Sequence, residues 1–143
     1  MVDSRLFFYT FVEVREMKWK KYNPNPGGKQ VGDCTVRAIA RALDVDWDTA
    51  YLGICLQGLV MCDMPSANAV WGAYLKKHGF KRHMLPEECP DCYTLEKFCE
   101  DHPKGCHVVA FGSHVVAVVD GIYHDTWESG QETPVYYFSK EGE

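Results

Sequence analysis

The sequence predicts an α+β domain with helices first and an antiparallel sheet after them. With 143 residues the chain has the length of one compact domain, and such domains commonly run to about 100–150 residues. Its first half carries apolar positions with helical period, and its second half switches to short runs rich in Val, Tyr and Phe separated by Gly or Pro. That change of period separates the helices from the strands and points to segregated layers.

The elements follow in order. Residues 1–16 read as a loosely attached leader or short strand, and a single catalytic-sized domain is expected over 17–143, from Met17 onward. Two prolines and two glycines in "YNPNPGGK", Tyr22 to Lys29, forbid helix there and make a loop. From Asp33 onward Val36, Ile39, Ala40 and Leu43 trace one buried helix face, with Asp33 or Gly32 as the N-cap. A second helix starts near Asp46 and puts Trp47, Ala50, Tyr51, Ile54 and Cys55 on one stripe; a third runs from Ser66 to a terminating Gly79. "TLEKFCEDHPKG" is a short helix capped by Thr94 and stopped by Pro103 and Gly105. "CHVVAFG", "SHVVAVV", "IYHDTW" and "PVYYFS" are the strands.

Composition narrows the function. Fifteen Lys and Arg against twenty Asp and Glu give a net charge of -5, which repels phosphate backbones, and the basic run Lys18 to Lys21 is short; no nucleic-acid partner is expected. No stretch approaches the roughly 20 apolar residues of a membrane helix. "MVDSRLFFYTFVEVREM" lacks the pattern of a signal peptide, so no membrane partner and a cytoplasmic location are expected. In a reducing compartment the seven cysteines are core residues, metal ligands or catalysts rather than bridges.

Cys34 falls in the first turn of its helix, where unpaired N–H groups and the positive dipole end favour a thiolate. The same position suits an inert buried thiol, since cysteine is among the most buried residue types. The hairpin "SHVVAVVDGIYHDTW" bears on the choice. Asp120-Gly121 signals a two-residue primed turn, which pairs Val119 with Ile122 and, by counting back, sets Asp125 opposite Val116 and Trp127 opposite His114. His114, Val116, Val118, Tyr123, Asp125 and Trp127 then share one face, with His114 and Asp125 diagonal neighbours at roughly 7–8 Å between alpha carbons. A three-residue turn would instead flip Asp125 and bring His124 or Thr126 into its place. A histidine and an aspartate at a solvated sheet edge are the plainer alternative. Together with Cys34, the pair supplies the base and the orienting carboxylate that a thiol nucleophile requires.

"GDCTVRAIARAL" followed by "GSHVVAVVDGIYHDTW" resembles the papain-like cysteine peptidase superfamily, in particular its small bacterial and phage-associated members related to bacteriocin-leader peptidases. The resemblance covers roughly Tyr22 to Phe138. It implies a papain-like fold with N-terminal helices on a C-terminal antiparallel sheet, and a triad of Cys34, His114 and Asp125. It also implies a glutamine ahead of the nucleophile whose amide helps to hold the oxyanion. Gln30 is that candidate, four residues ahead of Cys34 where papain itself has six; as an alternative it is an exposed loop residue. The expected function is hydrolysis of a peptide or isopeptide bond in a protein or peptide substrate, without a cofactor. A transglutaminase-like or acyltransferase reaction on the same triad is the nearest alternative, and a noncatalytic zinc-binding or interaction module another. The zinc alternative rests on "CPDC", Cys89 to Cys92, followed by Cys99, His102, Cys106 and His107; buried or surface thiols are the plainer reading. Trp127 either shields the His-Asp hydrogen bond or packs in the core.

Overall fold

A computed structural model describes residues 18–85 and 93–141. The expected boundary between residues 1–16 and the rest, and the pair Cys89 and Cys92, lie outside the described residues. Among these residues four helices are arranged on a six-stranded sheet: β1 (Trp19–Lys21), α1 (Cys34–Leu43), α2 (Trp47–Met61), α3 (Asn68–Lys77), β2 (Phe80–Met84), α4 (Leu95–Asp101), β3 (Cys106–Ala110), β4 (Val115–Val119), β5 (Ile122–Asp125) and β6 (Tyr136–Lys140). The α+β class is as expected. No helix among the described residues is long and apolar enough to cross a membrane.

The helices begin where short polar side chains can take up free backbone N–H groups. Asp46 Oδ1 accepts from the Thr49 N–H at 2.8 Å and Thr94 Oγ1 from the Lys97 N–H at 3.2 Å, as N-caps do. Asp33 occupies the cap position of α1 without capping it; its carboxylate is engaged elsewhere. The third helix is shorter than its sequence limits, and Gly79 follows it with φ 87°.

The sheet departs from the expected form in order and sense. Its strands run β1-β5-β4-β3-β6-β2, so β6 returns to pair with β3 rather than continuing a meander beyond β5. Four of the five ladders are antiparallel, while β1 lies parallel to β5. The sheet is therefore mixed. Both strands that sequence reading missed are edge strands bearing lysine or arginine, Lys20 and Lys21 on β1 and Lys81 and Arg82 on β2. An edge strand forms one ladder and often carries charge against further pairing, so it shows little apolar pattern.

Two apolar layers hold the sheet between helices. On one face Ile39 of α1, Ile54 of α2 and Trp71 of α3 pack with Val108, Ala117 and Phe138. On the other, Leu95 and Phe98 of α4 pack with Val109, Val116, Val118 and Tyr123. Cys99 belongs to that second layer, 1 % exposed, and burial pushes its thiol up to about 12. It is a core side chain.

His124 is buried against the Tyr22 ring and donates from Nδ1 to the Ile122 carbonyl at 3.1 Å. Burial first, then the charges of Arg41 and Lys20, push its pKa down to about 4. An unfolded-state histidine titrates near about 6.5, so the folded state favours the neutral ring. The resulting stabilisation is present above about pH 6.5 and is lost as pH falls towards 4, by up to roughly 3 kcal/mol. A His124→Gln variant is expected to lose less stability than the wild type between pH 7 and pH 4, compared by thermal melts across that range; parallel curves for the two proteins would refute the assignment.

Candidate active site

The Asp-Gly turn decides the register of the hairpin. Asp120 and Gly121 have φ 51° and 77°, the left-handed pair of a type I′ turn. Val119 pairs with Ile122, Val118 with Tyr123 and Ala117 with His124, as counted from the sequence. The three-residue alternative, with its flipped Asp125, does not occur. His114 Nε2 donates to Asp125 Oδ2 at 2.6 Å.

Counting along the strands puts His114 and Asp125 on the face of Val116, Val118 and Tyr123, which packs against α4. Cys34 belongs to a helix on the opposite face. The three meet because His114 precedes β4 and Asp125 ends β5, so their side chains lie at the end of the sheet, where the start of α1 also lies. Cys34 and His114 line one cleft there with Ser66, Asn68, Phe111 and Ser113.

Electrostatics in this cleft favour charge separation. Burial pushes the Cys34 thiol up, but hydrogen bonds with His114 and the Val115 backbone, together with the imidazolium charge, outweigh it and leave the pKa below that of an ordinary thiol. For His114 burial acts downward, and hydrogen bonds to Asp125 and Cys34 with their negative charges raise it to about 9. Both shifts favour a thiolate beside an imidazolium, and the pair titrates as a unit. With Nε2 committed to Asp125, Nδ1 is the nitrogen left for the thiol proton.

Asp125 is 1 % exposed and amply supplied with donors. Ser129 Oγ donates to Oδ2 at 2.6 Å, the Thr126 N–H to Oδ1 at 2.8 Å, and Arg37 Nη2 to Oδ1 at 3.3 Å. Burial would raise its pKa, and the His114, Ser129 and Thr126 contacts lower it further than burial raises it. Arg37 is buried too and also binds Asp33, whose Oδ2 accepts from Trp47 Nε1 at 2.9 Å. A buried chain of polar groups thus runs from α2 through the residue before Cys34 to the carboxylate behind His114. Sequence reading missed Arg37, Ser129 and Thr126. Arg37 falls beside the stripe of Val36, Ile39, Ala40 and Leu43 and carries no local signal of burial.

Gln30 is exposed and is not among the residues lining the cleft; Cys34, His114 and Asp125 are brought together, and Gln30 stands apart on its loop. Trp127 lies against the His114 ring, centroids 5.3 Å apart, and is 46 % exposed. Its core reading is corrected: beyond the end of β5 no layer of the described residues covers it, and it caps one side of the imidazole. A larger cavity, about 760 Å³, lies at the opposite end of the β3–β4 ladder and is lined by His83, His102, Cys106, His107 and Tyr137. No group of three or more metal-ligating side chains able to hold an ion is present among the described residues. Comparison with family models, with curated proteins and with solved structures finds no match to this chain.

Proposed function

We propose that the protein is a cysteine peptidase of papain-like fold that hydrolyses a peptide or isopeptide bond in a protein or peptide substrate. The observation that carries this reading is the hydrogen-bonded sequence from Cys34 through His114 to Asp125, with the thiol pKa lowered and the imidazole raised. A structural cysteine needs neither shift. Reduced thiol chemistry suits a cytoplasmic setting, and Cys34, Cys55, Cys62 and Cys99 are free thiols.

In this mechanism the Cys34 thiolate attacks the carbonyl carbon and the C–S bond forms. Negative charge develops on the carbonyl oxygen, where the unpaired N–H groups at the start of α1, that of Cys34 first, act as donors. Gln30 retains the role of a side-chain donor only as the resemblance implies it. Collapse of the tetrahedral intermediate breaks the C–N bond while imidazolium Nδ1–H protonates the departing amine. Water then adds to the thioacyl group with His114 as base, the acid leaves, and the ion pair is restored. Asp125 holds the ring and balances its charge throughout.

Iodoacetamide at pH 6 tests the activated thiol, since an ordinary cysteine is then under about 1 % thiolate. Cys34 is expected to label well ahead of the other six cysteines, as read by peptide mass mapping, and His114→Ala is expected to slow it by roughly tenfold or more. Uniform labelling, or a Cys34 rate indifferent to His114, would remove the basis of the proposal.

A further inference from the structure

A second cavity adjoins the catalytic cleft. It has a volume of about 460 Å³ and shares Gly32, Thr35 and Ser66 with the cleft. Its walls are largely apolar: Val31 and Val36, Ile54, Pro65, and the rings of Trp47 and Tyr51, which stack with centroids 4.9 Å apart. Asp33 also lines it, but its carboxylate is taken by Arg37 and Trp47 and has little left to offer a ligand. The loop forming the rim is folded in advance. Asn25 Oδ1 accepts from the N–H groups of Gly27 at 2.9 Å and Lys29 at 3.4 Å, and Asn23 Nδ2 donates to the Lys29 carbonyl at 3.2 Å. A prefolded, mostly apolar concavity of this volume is the usual form of a specific binding pocket.

Position fixes which part of the substrate enters. His114 must reach the departing nitrogen, so the amine portion leaves along the side of the cleft lined by Phe111, Ser113 and His114. The second cavity includes none of these. It opens instead on the other side of the helix start, towards the portion that stays bonded to sulfur.

We propose that this cavity is the specificity pocket for a large aliphatic or aromatic side chain on the acyl side of the scissile bond. The inference rests on the thiol-peptidase reading. It makes the substrate a polypeptide cleaved directly after a large apolar residue, rather than after glycine or a charged residue.

Peptidyl chloromethyl ketones test the acyl side alone, because the thiolate displaces chloride and no amine portion is present. Rates of Cys34 modification by a phenylalanyl, a leucyl and a glycyl probe would each be divided by the iodoacetamide rate of the same protein. Filling an apolar pocket is worth roughly 10–200-fold in discrimination, so the normalised phenylalanyl or leucyl rate should exceed the glycyl rate by at least tenfold. Val31 and Tyr51 are exposed, at 50 % and 46 %, so Val31→Glu and Tyr51→Ala can be made without disturbing the core. Both should bring the ratio down several-fold. Equal normalised rates in the wild type, or a preference that both variants leave intact, overturn the pocket while the activated thiol stands. Iodoacetamide that fails to single out Cys34 overturns the underlying reading, and the pocket with it.

Discussion

Asp125→Asn is expected to lower kcat/KM for a peptide substrate by roughly 10²–10⁴ while leaving the protein folded. Four donors converge on the two carboxylate oxygens, from His114, Ser129, Thr126 and Arg37. An asparagine has one carbonyl oxygen and turns an NH₂ group towards half of them. In the flip that keeps Arg37 and Thr126 satisfied, the amide nitrogen faces His114 and the imidazole loses its acceptor. The ring then prefers the tautomer that leaves Nδ1 unable to take the thiol proton. The charge is lost too, and with it part of what holds His114 near about 9. The sign follows. In the wild type His114 stays protonated until pH rises through about 9, and Cys34 is thiolate above its lowered pKa, so kcat/KM should form a bell whose alkaline limb lies near 9. Removing the carboxylate lowers the imidazole pKa and raises that of the thiol, so the bell narrows as it falls in height. A profile of unchanged width would place the source of the His114 shift elsewhere.

That carboxylate illustrates what could be read in advance. The Asp-Gly dipeptide is local, and a type I′ turn leaves one register for the strands it joins, so the meeting of His114 with Asp125 was legible from about fifteen consecutive letters. The helix start at Asp46 and the cap at Thr94 were legible for the same reason, whereas the buried faces were only partly so, since Val36 and Leu43 are half-buried and Tyr51 is exposed. Arg37 was not, because its burial depends on Asp125, 88 positions away, and nothing near it in sequence requires a buried cation. The two edge strands escaped notice because a single ladder asks for little apolar pattern. Trp127 was misjudged because alternation gives the side of a strand and cannot say whether a neighbouring layer extends far enough to cover its end. The face count had the same limit: it grouped His114 with the α4 side, and only the position of both residues at the end of the sheet lets α1 complete the site from the other face.

Arg37→Leu is expected to destabilise the fold by about 3–5 kcal/mol, the usual consequence of stranding buried charge. Arg37, Asp33 and Asp125 are 6 %, 7 % and 1 % exposed, so water cannot replace the guanidinium for either aspartate. Asp125 keeps His114, Ser129 and the Thr126 N–H, whereas Asp33 is left with the Trp47 N–H as its named side-chain donor. Most of the penalty should therefore fall on Asp33. In a domain of this size each kcal/mol moves Tm by roughly 3–5 °C, which corresponds to a fall of about 9–25 °C in a thermal melt. Adding Asp33→Asn to Arg37→Leu removes the stranded charge and should recover part of the loss, whereas Asp33→Asn alone should destabilise. Such a sign reversal is the signature of coupled neighbours in a double-mutant cycle. Strictly additive losses would mean that the guanidinium contributes packing by its stem alone. Because Asp33 immediately precedes Cys34 and Asp125 stands behind His114, the same arginine ties both ends of the proposed catalytic array to one buried ion cluster. Loss of that tie should also slow iodoacetamide labelling of Cys34 at temperatures well below the melt.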